Sequence, residues 1–180
     1  MSPPLLDLET FAVSRGFSER ELKEYGIRIE DGHVVIPTLG RKGAWYERLR
    51  CDMGCHPRYH SPKGESVHLY NPLGLGPPDE DVWIAEGELD TLSLVVSGVP
   101  AVGILGTKNF KKEWIHLFAQ AEVVLALDND QAGEQACDEL AGWIEKKGGT
   151  WSRFNSSPYG DLNEWFKADR PGFTKVVTEW

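Results

Sequence analysis

Apolar positions along the chain follow two rhythms. Up to about residue 25 they recur with a helical period: Leu5, Leu8 and Phe11-Ala12 share a face until Gly16 interrupts it. Ser18-Glu19-Arg20-Glu21 has the Ser-x-x-Glu form of a capping box, which predicts a short helix through Tyr25, ended by Gly26. Strand-like patterning then takes over. Residues 33–37 and 44–50 read as two strands joined by the basic turn Gly40-Arg41-Lys42-Gly43, with the arginines of the second strand on an exposed face. Residues 51–81 are rich in Gly, Pro and His and are expected to be mostly irregular, with a linker at Pro77-Pro78-Asp79-Glu80-Asp81.

From Val82 the texture becomes strand, helix, strand, helix. Strands are predicted over 82–85, 99–105, 123–127 and 150–154, and helices over 90–97, 111–119 and 132–147, with Gly98 and Gly148-Gly149 as stops. Such alternation predicts an α/β fold: a parallel, Rossmann-like sheet flanked by helices on both faces. Preceding it, residues 1–79 form a small basic α+β subdomain, and residues 80–180 the α/β domain. No internal repeat or low-complexity tract interrupts either.

Two of the buried strands end in carboxylates. Glu86-Gly87-Glu88-Leu89-Asp90 follows the first, and Asp128-Asn129-Asp130 follows the third. The carboxyl ends of parallel strands are where open α/β sheets bind ligands. One acid per strand-to-helix turn is explained by helix capping. Four together repel one another unless a proton or a cation relieves them, and the guest that fits is a hard divalent cation such as Mg2+.

Composition narrows the setting. A net charge of −9 argues against nucleic acid at first sight. Its distribution softens that: Arg41, Lys42, Arg48, Arg50, Arg58 and Lys63 crowd into residues 40–70 against three acids, with His56, His60 and His68 nearby. An acidic, metal-binding half beside a locally basic segment suits a polynucleotide enzyme. No apolar run approaches the ~20 residues that span a bilayer, and the first residues lack a signal-peptide plan, so a soluble, intracellular protein is expected, with no membrane partner. Three cysteines, an odd number, fit a reducing compartment. Cys51, Cys55, His56 and His60 carry zinc-type donors, but without a second matched pair zinc is not expected.

The motifs, taken in order, resemble a family. Glu86-Gly87-Glu88-Leu89-Asp90, Leu105-Gly106-Thr107, Leu127-Asp128-Asn129-Asp130-Gln131-Ala132-Gly133 and Gly160-Asp161-Leu162-Asn163-Glu164 look like those of the TOPRIM domain over roughly residues 82–168. The likeness is strongest to the catalytic core of DnaG-type primases of bacteria and phages. Upstream, Val34-Val35-Ile36-Pro37, the basic hairpin, Pro57-Arg58-Tyr59-His60-Ser61-Pro62-Lys63 and Leu69-Tyr70 look like the first half of a primase polymerase core. The chain departs from the primase plan in having no zinc ribbon of paired Cys-x-x-Cys motifs and no helicase module after the core.

The resemblance implies DNA-directed synthesis of short RNA primers on a single-stranded DNA template from ribonucleoside triphosphates, with Mg2+ or Mn2+ as cofactor. A replicative helicase or a separate zinc-binding protein would be a partner, in the cytoplasm of a bacterium or a phage-infected cell. It assigns catalysis to Glu86, Asp90, Asp128 and Asp130, and metal binding to Glu86, Asp128, Asp130 and Asp161. It assigns nucleic-acid and nucleotide contacts to Arg48, Arg50, Arg58, Lys63 and Lys108. Glu86 corresponds to a family glutamate that acts as general base or holds a metal, and sequence does not separate the two roles. Trp83, Trp114, Trp143 and Trp165 are expected in the core, while Trp45 and Tyr46, interleaved with arginines, are either inward-packed or stacking residues. Two other functions share these motifs: a metal-dependent TOPRIM nuclease, and a non-catalytic nucleic-acid-binding module.

Overall fold

The computed structural model describes residues 6–40, 43–52, 55–77 and 80–180. Arg41 and Lys42 of the predicted basic turn, Pro78-Asp79 of the predicted linker, and Leu5 lie outside the described residues. The chain divides into two compact units, Met1–His68 and Leu69–Trp180.

In the first unit, α1 (Leu8–Ser14) is capped by Asp7, whose side chain accepts the Thr10 N–H at 2.7 Å. α2 (Glu19–Glu24) opens on the expected capping box: Glu21 N–H donates to Ser18 Oγ, and Ser18 N–H donates to the Glu21 carboxylate. An antiparallel sheet follows, β1 (Arg28–Glu30), β2 (His33–Gly40), β3 (Gly43–Arg50) and β4 (Tyr59–His60), in that spatial order. β1 is absent from the sequence reading, although Asp31-Gly32 is a strong hairpin signal. Both residues hold positive φ, 47° and 73°, as a two-residue hairpin turn requires. Phe11, Leu22, Ile27, Val34, Ile36 and Tyr46 are buried in this unit.

The expectation that the arginines of β3 face outward is corrected for Arg50. It is only 4% exposed, because its guanidinium donates to Asp52 Oδ1 at 2.8 Å and to the Tyr59 hydroxyl. Arg48 is half-buried, with its guanidinium 4.5 Å from the Tyr59 ring centroid. Trp45 points out at 54% exposure and Tyr46 points in at 2%, the alternation that a strand imposes.

The second unit begins eleven residues before the predicted boundary. Leu69 is buried in its core, Tyr70 exchanges both backbone hydrogen bonds with Gly103, and Asn71 Nδ2 donates to the Ala101 carbonyl at 2.9 Å. Its sheet holds β5 (Val82–Ala85), β6 (Ala101–Gly103), β7 (Glu122–Ala126) and β8 (Thr150–Arg153), all parallel, in the order β6-β5-β7-β8. One face of the sheet, with Val82, Ile84, Val123 and Leu125, packs on Leu140 and Ile144 of α4 (Gln131–Lys146) and on Phe118. Trp83, one step out of phase with that set, meets Phe154 and Trp180 instead. α3 (Glu88–Val96) packs on β5 and β6, α5 (Leu162–Ala168) packs on α3, and α6 (Arg170–Thr178) packs on α5.

Differences from the sequence reading are local. The strand expected over 99–105 shortens to three residues, because Leu105 turns the chain out of the ladder at φ 58°. The helix expected over 111–119 is a 3-10 helix, Lys112–Phe118. α5 and α6 were not expected, though Asp161 and Asp169 cap them and Pro171 stands in the first turn of α6. Of the four expected core tryptophans, Trp83 is buried, Trp114 and Trp143 are partly buried against the core, and Trp165 stacks between Phe154 and Tyr159. Among the described residues no helix is long and apolar enough to cross a membrane.

Candidate functional site

β5 and β7 are parallel neighbours in exact register at their ends, with Ala85 opposite Ala126. The chains leaving them therefore emerge side by side, one with Glu86 and the other with Asp128. Two further segments close on that edge. Gly106 N–H donates to the Glu86 carbonyl at 3.1 Å, and Asn129 N–H donates to the Gly160 carbonyl at 2.7 Å, which draws the Asp161 turn in beside Asp128. Asp90 arrives from the first turn of α3 and is tied to the same place, since Asn163 N–H donates to its Oδ1 at 3.0 Å.

Local sequence explains how the acids are held. Gly133 lets α4 start against the loop below it: a Cβ there would lie 2.1 Å from the Asp128 carbonyl oxygen. At Gly87 a Cβ would lie 2.7 Å from Asp90 Oδ2. Asp130 and Asp161 are N-caps, accepting the Gly133 N–H at 2.8 Å and the Glu164 N–H at 2.6 Å. Capping thus explains one oxygen of each of those two acids. It does not explain Glu86, Asp90 or Asp128.

Electrostatics separate these three from ordinary surface acids. Burial pushes Asp128 up to about 8, reinforced by the charges of Asp90, Glu86, Asp161 and Asp130. Burial likewise raises Asp90, with Asp161 the next cause, against the pull of the Asn163 N–H. Glu86 is raised mainly by burial, and the backbone N–H groups of Asp128 and Thr107 oppose the shift. Glu86 Oε2 is buried without a hydrogen-bond partner among the described residues. An orphaned carboxylate oxygen amid four other acids is an arrangement that a hard cation relieves. Among the described residues no three of these acids bring their oxygens within 4.8 Å of one another.

One residue that the sequence reading gave no role is Asn163. It is buried, its backbone holds Asp90, and its Nδ2 donates to Ser93 Oγ at 3.1 Å, so it braces α3 against α5. Its signal was its place two residues after Asp161. The expected basic contacts fall in two places. Lys108 is exposed and lines a cavity of about 270 Å3 with Thr107, Phe110 and Trp143 in the second unit. Arg48, Arg50, Arg58 and Lys63 are all in the first unit, with Arg58 and Lys63 exposed.

The family model described as Toprim-like matches residues 83–166, all within the second unit. The gene 57 protein of Mycobacterium phage D29 is 30% identical over 86 residues, which are 47% of this chain and 57% of that protein. The chain thus matches little more than half the length of that curated relative. Two solved structures share the fold across both units. The primase fragment of the bacteriophage T7 primase-helicase superposes with a TM-score of 0.69 at 22% identity, covering 92% of this chain and 71% of the fragment. The DnaG primase catalytic domain bound to ssDNA superposes with a TM-score of 0.74 at 17% identity, covering 99% of this chain and 73% of that one. The fold is therefore that of primase catalytic cores.

Proposed function

We propose that the chain is a primase-type catalytic core that joins ribonucleotides on a single-stranded DNA template with Mg2+ or Mn2+. The observation that carries this reading is the meeting of Glu86, Asp90, Asp128, Asp130 and Asp161 at the carboxyl ends of β5 and β7. The likeness to a DnaG domain bound to ssDNA supports the choice of template.

Asp128 and Asp130 would hold the cation, with Asp161 completing its outer shell, and Asp90, held by the Asn163 N–H, stands among these charges. A bound divalent cation would neutralise the charge that builds on the reacting phosphorus and on the leaving pyrophosphate. Glu86 takes the proton of the attacking 3′-hydroxyl, and burial raises its affinity for a proton. The new bond joins that 3′-oxygen to the α-phosphorus, and the bond to pyrophosphate breaks. Arg58 and Lys63, both exposed, are the cations best available to template phosphates.

The test is primer synthesis on single-stranded DNA with four ribonucleotides, one radiolabelled, and Mg2+ or Mn2+. Short labelled products are expected from the parent chain, with a loss of about 100-fold or more in Asp128→Ala, the scale of removing a group that stabilises transition-state charge. Metal-dependent loss of the template without products would favour a nuclease. Undiminished synthesis in Asp128→Ala would sink the site assignment.

A further inference from the structure

Outside the acidic cluster, one other group of side chains among the described residues has metal-binding chemistry. His33, Cys51 and Cys55 bring one ligand atom each within 4.8 Å of one another, all in the first unit. The sequence offered His56 and His60 beside the cysteines, with zinc not expected; the sheet brings His33 to them instead. β2 and β3 pair with Val34 opposite Arg50, so the next positions outward, His33 and Cys51, are neighbours at the end of the ladder. Cys51 N–H donates to the Arg58 carbonyl at 2.8 Å, and the Cα atoms of Cys51 and Cys55 are 5.7 Å apart, so Cys55 stands at the same spot.

From this geometry we infer a second metal site, in which the Cys51 and Cys55 thiolates and the His33 imidazole bind one Zn2+. Two sulfurs and one imidazole are soft and borderline donors, which suit Zn2+ and not the oxygen-seeking Mg2+. A backbone carbonyl fixes the tautomer of the imidazole. His33 Nδ1 lies 3.0 Å from the Asp31 carbonyl oxygen, and donation there leaves the Nε2 lone pair for a metal, the outer-shell bond that metal-ligating histidines make. Asp31 is placed by the positive-φ hairpin turn, so the outer shell belongs to the fold. Access exists, because Cys51 and Cys55 line a half-open cavity of about 350 Å3 together with Thr10, Arg15 and Arg58. Three protein donors leave a fourth position for water.

The two cysteines are joined as a disulfide, with their Cα atoms 5.7 Å apart. Metal binding therefore belongs to the reduced chain. A phosphine reductant supplies two electrons, and water supplies two protons, to convert the disulfide to two thiols. Binding Zn2+ as the dithiolate then releases those two protons. In the reducing state the metal replaces the disulfide as the link that holds the loop carrying Arg58 and Tyr59 against the strand end carrying His33. The inference does not depend on nucleotidyl transfer by the acidic cluster.

The test uses the full chain, reduced with a phosphine and freed of metal, then titrated with Zn2+ or with Co2+ as a coloured stand-in. One equivalent is expected to bind. Cobalt should give thiolate charge-transfer absorption, and Zn2+ should protect both thiols from alkylation. His33→Asn and Cys55→Ser should each weaken binding by more than the roughly 10–100-fold that outer-shell changes cost, whereas Asp128→Ala should leave it unchanged. If a variant fails to fold, the cobalt spectrum and thiol protection of the parent still decide. A reduced, folded parent that binds no Zn2+ overturns the inference, as do binding without thiolate absorption and binding unaltered in His33→Asn.

Discussion

Asp128 shows what a single residue reveals when its surroundings are read as electrostatics. In an unfolded chain it would titrate near 3.8, and in the fold it is pushed up to about 8 by burial and four neighbouring acids. The folded state therefore binds a proton that the unfolded state has lost. The stability this contributes is complete below about pH 4 and disappears as pH rises through about 8. Without divalent cation, the melting temperature should fall by several degrees between pH 5 and pH 9. Asp128→Asn, which mimics the protonated acid, should flatten that decline and melt higher than the parent at pH 9. Added Mg2+ should rescue the parent most strongly at the alkaline end, since a carboxylate must be ionised to bind it. Calorimetry across this range decides the matter, and equal slopes for parent and variant would remove Asp128 as the source.

At the level of elements, the contrast within α4 isolates what the site demands of its scaffold. Gly133, in the first turn, leaves no room for a Cβ because the Asp128 carbonyl would be 2.1 Å away, while a Cβ at Gly142 meets nothing within 4 Å. Gly133→Ala should therefore cost about 1–3 kcal/mol, the range for forcing atoms into a packed place. Because the backbone it displaces carries Asp128, it should also lower primer synthesis more than tenfold. Gly142→Ala should stabilise by up to about 1 kcal/mol through helix propensity, with synthesis unchanged. Denaturant unfolding beside the primer assay checks both, and equal effects at the two positions would contradict this account of Gly133. The same contrast explains what was legible in sequence. The acids at the ends of β5 and β7 could be read because buried strands announce themselves as apolar runs and the turns after them are short. β1 went unread because three residues are too few to show a period, and only Asp31-Gly32 marked it. α5 and α6 escaped because each is short and buries a single i,i+4 apolar pair, Leu162 with Phe166 and Phe173 with Val177, too few to show a period. The inward turn of Arg50 was hidden for another reason: it depends on Asp52 and Tyr59, and one of these lies across a loop that carries no periodic signal.

Taken as a whole molecule, the chain has an uneven charge that sets conditions on any polyanionic partner. Residues 1–68 carry ten basic and ten acidic side chains, so the entire net charge of −9 resides in residues 69–180. A nucleic-acid strand approaching the acidic unit meets repulsion that only bound cations offset. Template binding should then require Mg2+ at the acidic cluster instead of merely tolerating it. At fixed ionic strength, fluorescence anisotropy with labelled single-stranded DNA should show affinity rising more than tenfold when Mg2+ replaces an equivalent ionic strength of Na+. Asp128→Ala should lose that gain, because the cation it would hold is gone. The basic side sets the salt dependence separately. Arg50 is committed to Asp52 and Tyr59, whereas Arg58 and Lys63 are exposed and suited to phosphate contacts in the first unit. Two contacts to a single strand predict a slope of about −1.4 for log affinity against log salt. Substituting Arg58 with alanine should make that slope shallower by about 0.7, and Arg50→Ala should destabilise the first unit while leaving the slope alone. A steep slope, near that of a fully basic groove, together with indifference to Mg2+, would mean that the strand avoids the acidic cluster altogether, and the nucleotidyl-transfer reading would fall with it.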